Sequence, residues 1–240
     1  MQGMEGGSAM LFAGLQKLTL LDYPGHTACT VFTQGCDFRC PFCHNASLLE
    51  TGVTPEYPVE ESEILSFLKK RQGTLDGVAI TGGEPLLHPE LRDFILRVRE
   101  LGFKVKLDTN GNHPDSLRAL IDQGLVDMVA MDIKNCPEHY ARTIGVPAFD
   151  LSPIKESIAL LQEERVAFEF RTTVVKELHS EGDMRGIGEW LRGDWPYFLQ
   201  TYVDSGHVLR VGLTAPSEEE MAQYRGILLP YLPRARVRGE

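Results

Sequence analysis

The chain is short of positive charge, of cysteine and of long apolar runs, and each shortage removes a class of function. Its 240 residues carry 24 Lys and Arg against 34 Asp and Glu, a formal net charge of -10. A binder of the phosphate backbone needs a basic face that releases counterions, so nucleic acid is not an expected partner. No uninterrupted apolar run approaches the roughly 18 residues of a membrane span, and no basic segment precedes the short N-terminal run AMLFAGL. No membrane association is expected, and a cytoplasmic location is. The five cysteines are odd in number, with three of them crowded between residues 36 and 43. That is not the paired framework of a secreted disulfide scaffold, and it points to a metal. No Pro/Ser linker or low-complexity tract divides the chain.

What is present is a rhythm. Residues 1–13, Gly-rich and weakly patterned at their start, are expected to form a flexible leader, and residues 14–240 a single domain. Runs rich in Val, Ile, Phe and Thr at 27–34, 75–81, 103–109, 126–134, 166–175 and 197–203 predict strands. Apolar residues at helical spacing predict helices over 59–72, 88–101, 115–124, 152–164, 182–192 and 217–232. Ser152 and Ser217 stand as expected N-caps, and Gly102 and Gly124 as expected helix ends. Such alternation gives a mostly parallel sheet with right-handed crossovers. Six β/α units fall short of a closed eight-stranded barrel, which takes about 250 residues. The expected architecture is therefore α/β, a partial (β/α)6 TIM-like barrel open on one side.

Ligands of parallel α/β folds bind beyond the carboxyl ends of the strands. Four successive runs end unusually: in TQGCDFRCPFCHN (33–45), TGGEP (81–85), DTNG (108–111) and MDIK (131–134). Cys36, Cys40 and Cys43 lie in a loop with Gly35 and Pro41, which lets three thiolates converge. Three soft ligands suit zinc or an iron–sulfur cluster. A closed zinc site needs a fourth ligand from His44, Cys29 or Cys136. His44 directly follows Cys43, however, and Cys29 sits in a predicted strand. A four-iron cluster can be held by three cysteines with its fourth iron left open, as a catalytic site requires.

Gly82 and Gly83 let a ligand approach the backbone, or simply make a tight turn. DTNG alone reads as a turn with Asp108 capping it. Asp132 and Lys134, two apart on a strand, point to the same side and form either an ion pair or part of a site. Four such segments at one edge are better explained by one site than by four accidents.

Taken together, these residues resemble the radical S-adenosylmethionine (SAM) superfamily, whose motif C-x3-C-x-aromatic-C is matched by Cys36, Cys40, Phe42 and Cys43. The resemblance implies a radical SAM barrel whose three cysteines bind a [4Fe-4S] cluster. It also implies that the open iron is chelated by the amino and carboxylate groups of SAM, with Phe42 near the adenine. Gly82, Gly83 and Glu84 match the segment that binds the methionyl amine through its backbone, with Glu84 assisting.

A narrower resemblance, to glycyl-radical-enzyme activating enzymes, is carried by Gln34 to Asn45, by Asp22, Pro24 and Gly25, and by the DTNG and Asp132-x-Lys134 segments. It implies that Lys134 pairs with the SAM carboxylate and that Asn110 contacts the ribose. It also implies that Asp108, Thr109 and Asp132 hold a monovalent cation. The opening GLQKLTLLDYPG (14–25), with no second cysteine-rich insertion, most resembles activating proteins of anaerobic ribonucleoside-triphosphate reductase. Tyr23 and Ala46 depart from the activase pattern, where Gly and Pro are usual.

The implied activity is that of an oxidoreductase. SAM is cleaved reductively to a 5′-deoxyadenosyl radical, which abstracts hydrogen from a glycine of a partner glycyl radical enzyme. The implied electron donor is reduced flavodoxin or a ferredoxin-type protein. Two other readings stand beside it: a radical SAM enzyme with a small-molecule substrate, and a non-catalytic iron–sulfur or zinc module. Arg171 reads either as facing the mouth or as paired with a neighbouring acid. Cys29, Cys136 and the remaining histidines read as structural or surface residues.

Overall fold

In chain order the elements are β1 (Leu11–Phe12), β2 (Gly14–Thr19), β3 (Ala28–Thr33), β4 (Val59–Glu60), α1 (Glu61–Lys69), β5 (Gly77–Gly82), α2 (Leu91–Glu100) and β6 (Lys104–Thr109). They continue as α3 (Pro114–Asp122), β7 (Met128–Asp132), α4 (Tyr140–Ile144), α5 (Ser152–Gln162), β8 (Ala167–Val174), α6 (Glu181–Leu191), β9 (Tyr197–Thr201), α7 (Glu218–Leu228) and β10 (Ala235–Val237). The computed structural model describes residues 10–204, 206 and 208–239. Among these, no helix is long and apolar enough to cross a membrane.

The main sheet has eight strands in the order β10-β9-β8-β7-β6-β5-β3-β2. All neighbours pair in parallel except β2, which runs antiparallel to β3 at one edge. The two edge strands, β2 and β10, do not meet, so the sheet curls into a barrel that stays open on one side. The six predicted strands are its six central members.

Strand side chains alternate between faces, and in this sheet the alternation sorts them by polarity. Val31, Val78, Ile80, Val105, Leu107, Val129, Met131 and Phe170 fall on one face and join the helices in a common buried core. Residues on the other face in neighbouring strands include Thr30, Ala79, Lys106, Asp108, Ala130, Asp132, Glu169 and Arg171, small or charged. The concave side of the barrel is thus polar, and its charges must be satisfied by one another.

Several expectations need correction. Residues 1–9 of the expected leader lie outside the described residues, but Met10 and Phe12 are buried, and Phe12 packs its ring on Phe94 with centroids 4.6 Å apart. β1 pairs with Val59 and Glu60, which the helical pattern had assigned to the helix after them. Ser152 is the first residue of α5 rather than its cap, with its N–H donated to Asp150 Oδ1 at 2.9 Å. Lys134 lies two residues beyond the end of β7. The short helix α4 and the edge strands β2 and β10 were not foreseen. By contrast, Ser217 caps α7 in a capping box with Glu220, and Gly102 and Gly124 take positive φ after their helices.

Candidate active site

The carboxyl ends of β3, β5, β6 and β7 surround a cavity of about 170 Å³. Cys36, Cys40, Phe42, Cys43, Gly82, Gly83, Asp108, Thr109, Asn110, Asp132 and Lys134 all border it, together with Asn45, Arg171 and Thr173. Of the residues given cluster- or SAM-binding roles from the sequence, Glu84 alone does not border it.

The cysteine loop leaves β3 at Thr33 and is fixed by its backbone. Gly35 N–H donates to Leu48 O at 2.7 Å, and Arg39 N–H to Ile144 O at 2.8 Å. The Arg39 guanidinium donates to the carbonyls of Cys36 (2.6 Å) and Phe38 (2.8 Å), folding the loop back on itself. All five cysteines are free. Burial pushes the Cys36 and Cys40 thiols up to about 12 and raises Cys43 as well, so without an ion they are neutral thiols. Of the three candidates for a fourth protein ligand, Cys29 lies inside β3 and Cys136 beyond β7, and neither borders the cavity. His44 does, but its ring packs towards Tyr202 with centroids 5.7 Å apart. Three soft ligands around one cavity, with open space beside them, fit an iron–sulfur cluster that keeps one iron accessible.

The glycines after β5 are required by the protein itself. A Cβ on Gly83 would lie 1.9 Å from Gly35 O, and one on Gly82, whose φ is +120°, would lie 2.3 Å from Thr33 N. Gly83 N–H donates to Thr33 O at 2.9 Å, and Glu84 N–H to Gly35 O at 2.7 Å. The two loops therefore cross in backbone contact, and Asn45 Nδ2 clamps the crossing by donating to Gly82 O at 3.0 Å.

Glu84 is wholly buried, and its carboxylate faces inward rather than into the cavity. It accepts from Leu86 N (3.1 Å), Thr109 Oγ1 (2.8 Å) and Asn110 N (2.7 Å). It ties the end of β5 to the end of β6, whereas the resemblance implies a task beside the methionyl amine. Burial opposes its ionisation and raises it to about 7. Asn110 borders the cavity but donates its amide N–H to Asp37 Oδ1 at 2.7 Å. Asp37 also accepts from Asn112 Nδ2 (2.5 Å) and pairs with His113 Nε2 (3.1 Å). This half-buried anchor between the cysteine loop and the DTNG loop was missed, as was the task of Asn45. Asp37 carries no spacing signal, and its partners Asn112 and His113 become meaningful only once the two loops are side by side.

Opposite the cysteines runs a chain of charges. Lys106 pairs with Asp108, Asp108 with Arg171 (3.0 Å), Arg171 with Asp132 (2.5 Å) and Asp132 with Lys134 (2.8 Å). Arg171 thus both faces the mouth and pairs with neighbouring acids. Burial alone would raise Asp132, but Arg171 and Lys134 outweigh it and hold the carboxyl well below its usual range. Burial opposes the charge on Lys134 too, yet Asp132 outweighs it and holds the pKa above the ordinary lysine value. Three cationic side chains meet two carboxylates, leaving a positive surplus that suits a carboxylate ligand. The Arg171 guanidinium fills the place between Asp108 and Asp132 expected for a monovalent cation, and Thr109 turns to Glu84 instead.

The family profile of the radical SAM superfamily matches residues 30–182, more than half of the chain. The chain belongs to the radical SAM superfamily. Membership implies a [4Fe-4S] cluster and SAM, and the three cysteines that would hold the cluster are in place. Among its relatives, a Methanocaldococcus jannaschii protein provisionally named a glycyl-radical enzyme activating enzyme is 30% identical over 95% of both chains. A 7-carboxy-7-deazaguanine synthase of Methanopyrus kandleri is 31% identical over 78% of both. The crystal structure of a domain of pyruvate-formate lyase-activating enzyme from Bacteroides vulgatus superposes with a TM-score of 0.55 at 24% identity. That match spans 68% of this chain and 99% of the domain, and it speaks for a shared fold.

Proposed function

We propose that this radical SAM protein is an activating enzyme for a glycyl radical enzyme, its partner being an anaerobic ribonucleoside-triphosphate reductase. The observation that carries the reading is a single cavity flanked by three thiols on one side and a surplus of positive charge on the other. Similarity to the M. jannaschii relative along nearly the full length of both chains supports the activase class.

In this proposal Cys36, Cys40 and Cys43 hold the cluster, and the backbone of Gly82 and Gly83 receives the amino group of SAM. Lys134 takes the SAM carboxylate, Phe42 lies against the adenine and Asn110 against the ribose. Once bound, cluster and SAM supply a one-electron reductive cleavage that yields a 5′-deoxyadenosyl radical able to take hydrogen from a glycine Cα. The protein's own work is to orient the sulfonium, keep water out and admit a partner's loop through the open side of the barrel. Glu84 acts indirectly, by positioning Thr109 and Asn110. A monovalent cation enters between Asp108 and Asp132 only if the Arg171 guanidinium withdraws. The proposed electron source is reduced flavodoxin or a ferredoxin-type donor in an anaerobic cytoplasm.

A second reading, a small-molecule substrate bound inside the barrel, is favoured by the M. kandleri synthase, as similar in identity as the activase relative. One experiment separates the two. Reconstituted, reduced protein is mixed with SAM and the reductase, and electron paramagnetic resonance is used to look for a glycyl radical. A radical on the reductase is expected. Release of 5′-deoxyadenosine with no radical on any partner would replace this reading with the second.

A further inference from the structure

Just beyond Lys134 the chain makes the turn Cys136-Pro137-Glu138-His139, closed by His139 N–H donating to Cys136 O at 3.1 Å. The turn aims the thiol and the imidazole at the first turn of α6, where Asp183 stands. Cys136 Sγ lies 3.3 Å and His139 Nδ1 2.5 Å from the same oxygen, Asp183 Oδ1. The three ligand atoms all fall within 4.8 Å of one another. We propose that Cys136, His139 and Asp183 form a second metal site, separate from the cysteine loop, that binds one zinc ion.

The donor set suits zinc, which takes thiolate, imidazole and carboxylate together in tetrahedral sites. Bond lengths of about 2.3 Å to sulfur and 2.0 Å to nitrogen or oxygen set the ligand atoms roughly 3.3–3.5 Å apart. The Cys136–Asp183 separation already meets that spacing. The His139–Asp183 separation must open by under about 1 Å, and His139 is the member free to move, its side chain 40% exposed against 3% for Asp183.

Asp183 is held ready from behind. Its other oxygen, Oδ2, accepts from Ser180 N (2.8 Å) and Ser180 Oγ (2.6 Å), the outer support that orients metal-binding carboxylates. One thiolate and one carboxylate neutralise a divalent ion, so the loaded site carries no net charge into a largely buried position. Binding displaces the thiol proton to solvent. Water completes the tetrahedron on the exposed His139 side.

The ion would pin the loop after β7 to α6. That loop also carries Lys134, whose carbonyl is hydrogen-bonded to His179 Nε2 at 2.9 Å. The sequence gives little reason to suspect the site, because Asp183 lies far along the chain and reads as an ordinary helix-capping residue.

The test uses the full chain with its cluster assembled, cleared of loose metal by a mild chelator and equilibrated with micromolar zinc sulfate. Elemental analysis should give about one zinc per chain, and zinc-edge X-ray absorption should show one sulfur at about 2.3 Å with nitrogen or oxygen near 2.0 Å. His139→Gln alters a partly exposed ring, and Cys136→Ser removes the sulfur. Each should lower zinc affinity by at least about 10-fold with iron content unchanged. No zinc above background in the wild type, a spectrum dominated by three sulfurs, or undiminished zinc in His139→Gln would each overturn the proposal.

Discussion

Asp127, just before β7, and Asp132, the last residue of that strand, stand at its opposite ends, and both are paired with arginine. At the amino end Asp127 meets Arg99 at 2.6 Å, with side chains 31% and 34% exposed. At the carboxyl end Asp132 meets Arg171 at 2.5 Å, with side chains 25% and 13% exposed, and Lys134 joins them. The amino-end pair is about one third exposed and screened by solvent, with Val105 N–H also donating to Asp127 Oδ2 at 2.8 Å, so water can satisfy much of what its loss leaves. The carboxyl-end group is one link in a desolvated chain, so its loss leaves cations with nowhere to turn. Chemically similar contacts fasten the scaffold at one end of the barrel and build a binding surface at the other.

Substitutions at the two ends probe this contrast. The largest effect belongs to the mouth. Cys36→Ala, Cys40→Ala or Cys43→Ala should each abolish both the cluster's paramagnetic signal and SAM cleavage, and retained activity in any of them would contradict the assignment. Next come two glycines. Gly83→Ala drives a methyl group into Gly35 O and should cost about 3 kcal/mol or more, with poor cluster assembly. Gly102→Ala, at the other end of the sheet, meets no atom within 4 Å. Only its left-handed backbone opposes the change, at about 1–2 kcal/mol. Urea unfolding measures both, and equal losses would remove the distinction.

The aspartates themselves follow. Asp132→Asn should cost roughly 3 kcal/mol, and Asp127→Asn about 1 kcal/mol or less. The native pKa of Asp132 is depressed, so its contribution is complete above the unfolded value of about 4 and is lost as pH falls towards the native one. Wild-type stability should therefore fall below about pH 4 more steeply than that of Asp132→Asn. Parallel acid titrations would argue against the coupling. The smallest contrast is between two side-chain amides that donate to carbonyls. Asn45→Ala, at Gly82 O, should cost about 1 kcal/mol. Gln72→Ala, at the exposed Leu101 O, should fall near zero because water replaces the bond.

The six central strands and the open barrel were legible because period-two and helical patterns alternate clearly, and because the strand ends carry Cys, Gly-Gly-Glu and Asp in turn. Boundaries were less so: Val59 and Glu60 fit the pattern of the following helix, and only their pairing with Leu11 and Phe12 makes them a strand. In the site, spacing brought out the residues that touch the cavity. It could not bring out the tasks of Asp37 and Asn45, which act through partners far away in sequence, whereas Arg171 was read from its strand both as facing the mouth and as acid-paired. Glu84 was found by its motif, but a motif records that a carboxylate is needed and not which way it points. Tyr23 shows the same limit. Its ring packs at Gly77, at the amino end of β5, so this departure from the activase pattern lies away from the cavity.

The crossing of Gly35 over Gly83 carries a thermodynamic consequence. The cysteine loop and the Gly-Gly-Glu loop share backbone hydrogen bonds at 2.7 and 2.9 Å, so neither can shift without displacing the other. In the proposed roles the cluster sits on one of these loops and SAM on the other, so coupled binding is expected. If an assembled cluster tightens SAM binding by some factor, SAM must tighten retention of the cluster by that same factor. Cofactor loss and substrate depletion then become a single equilibrium seen from two sides.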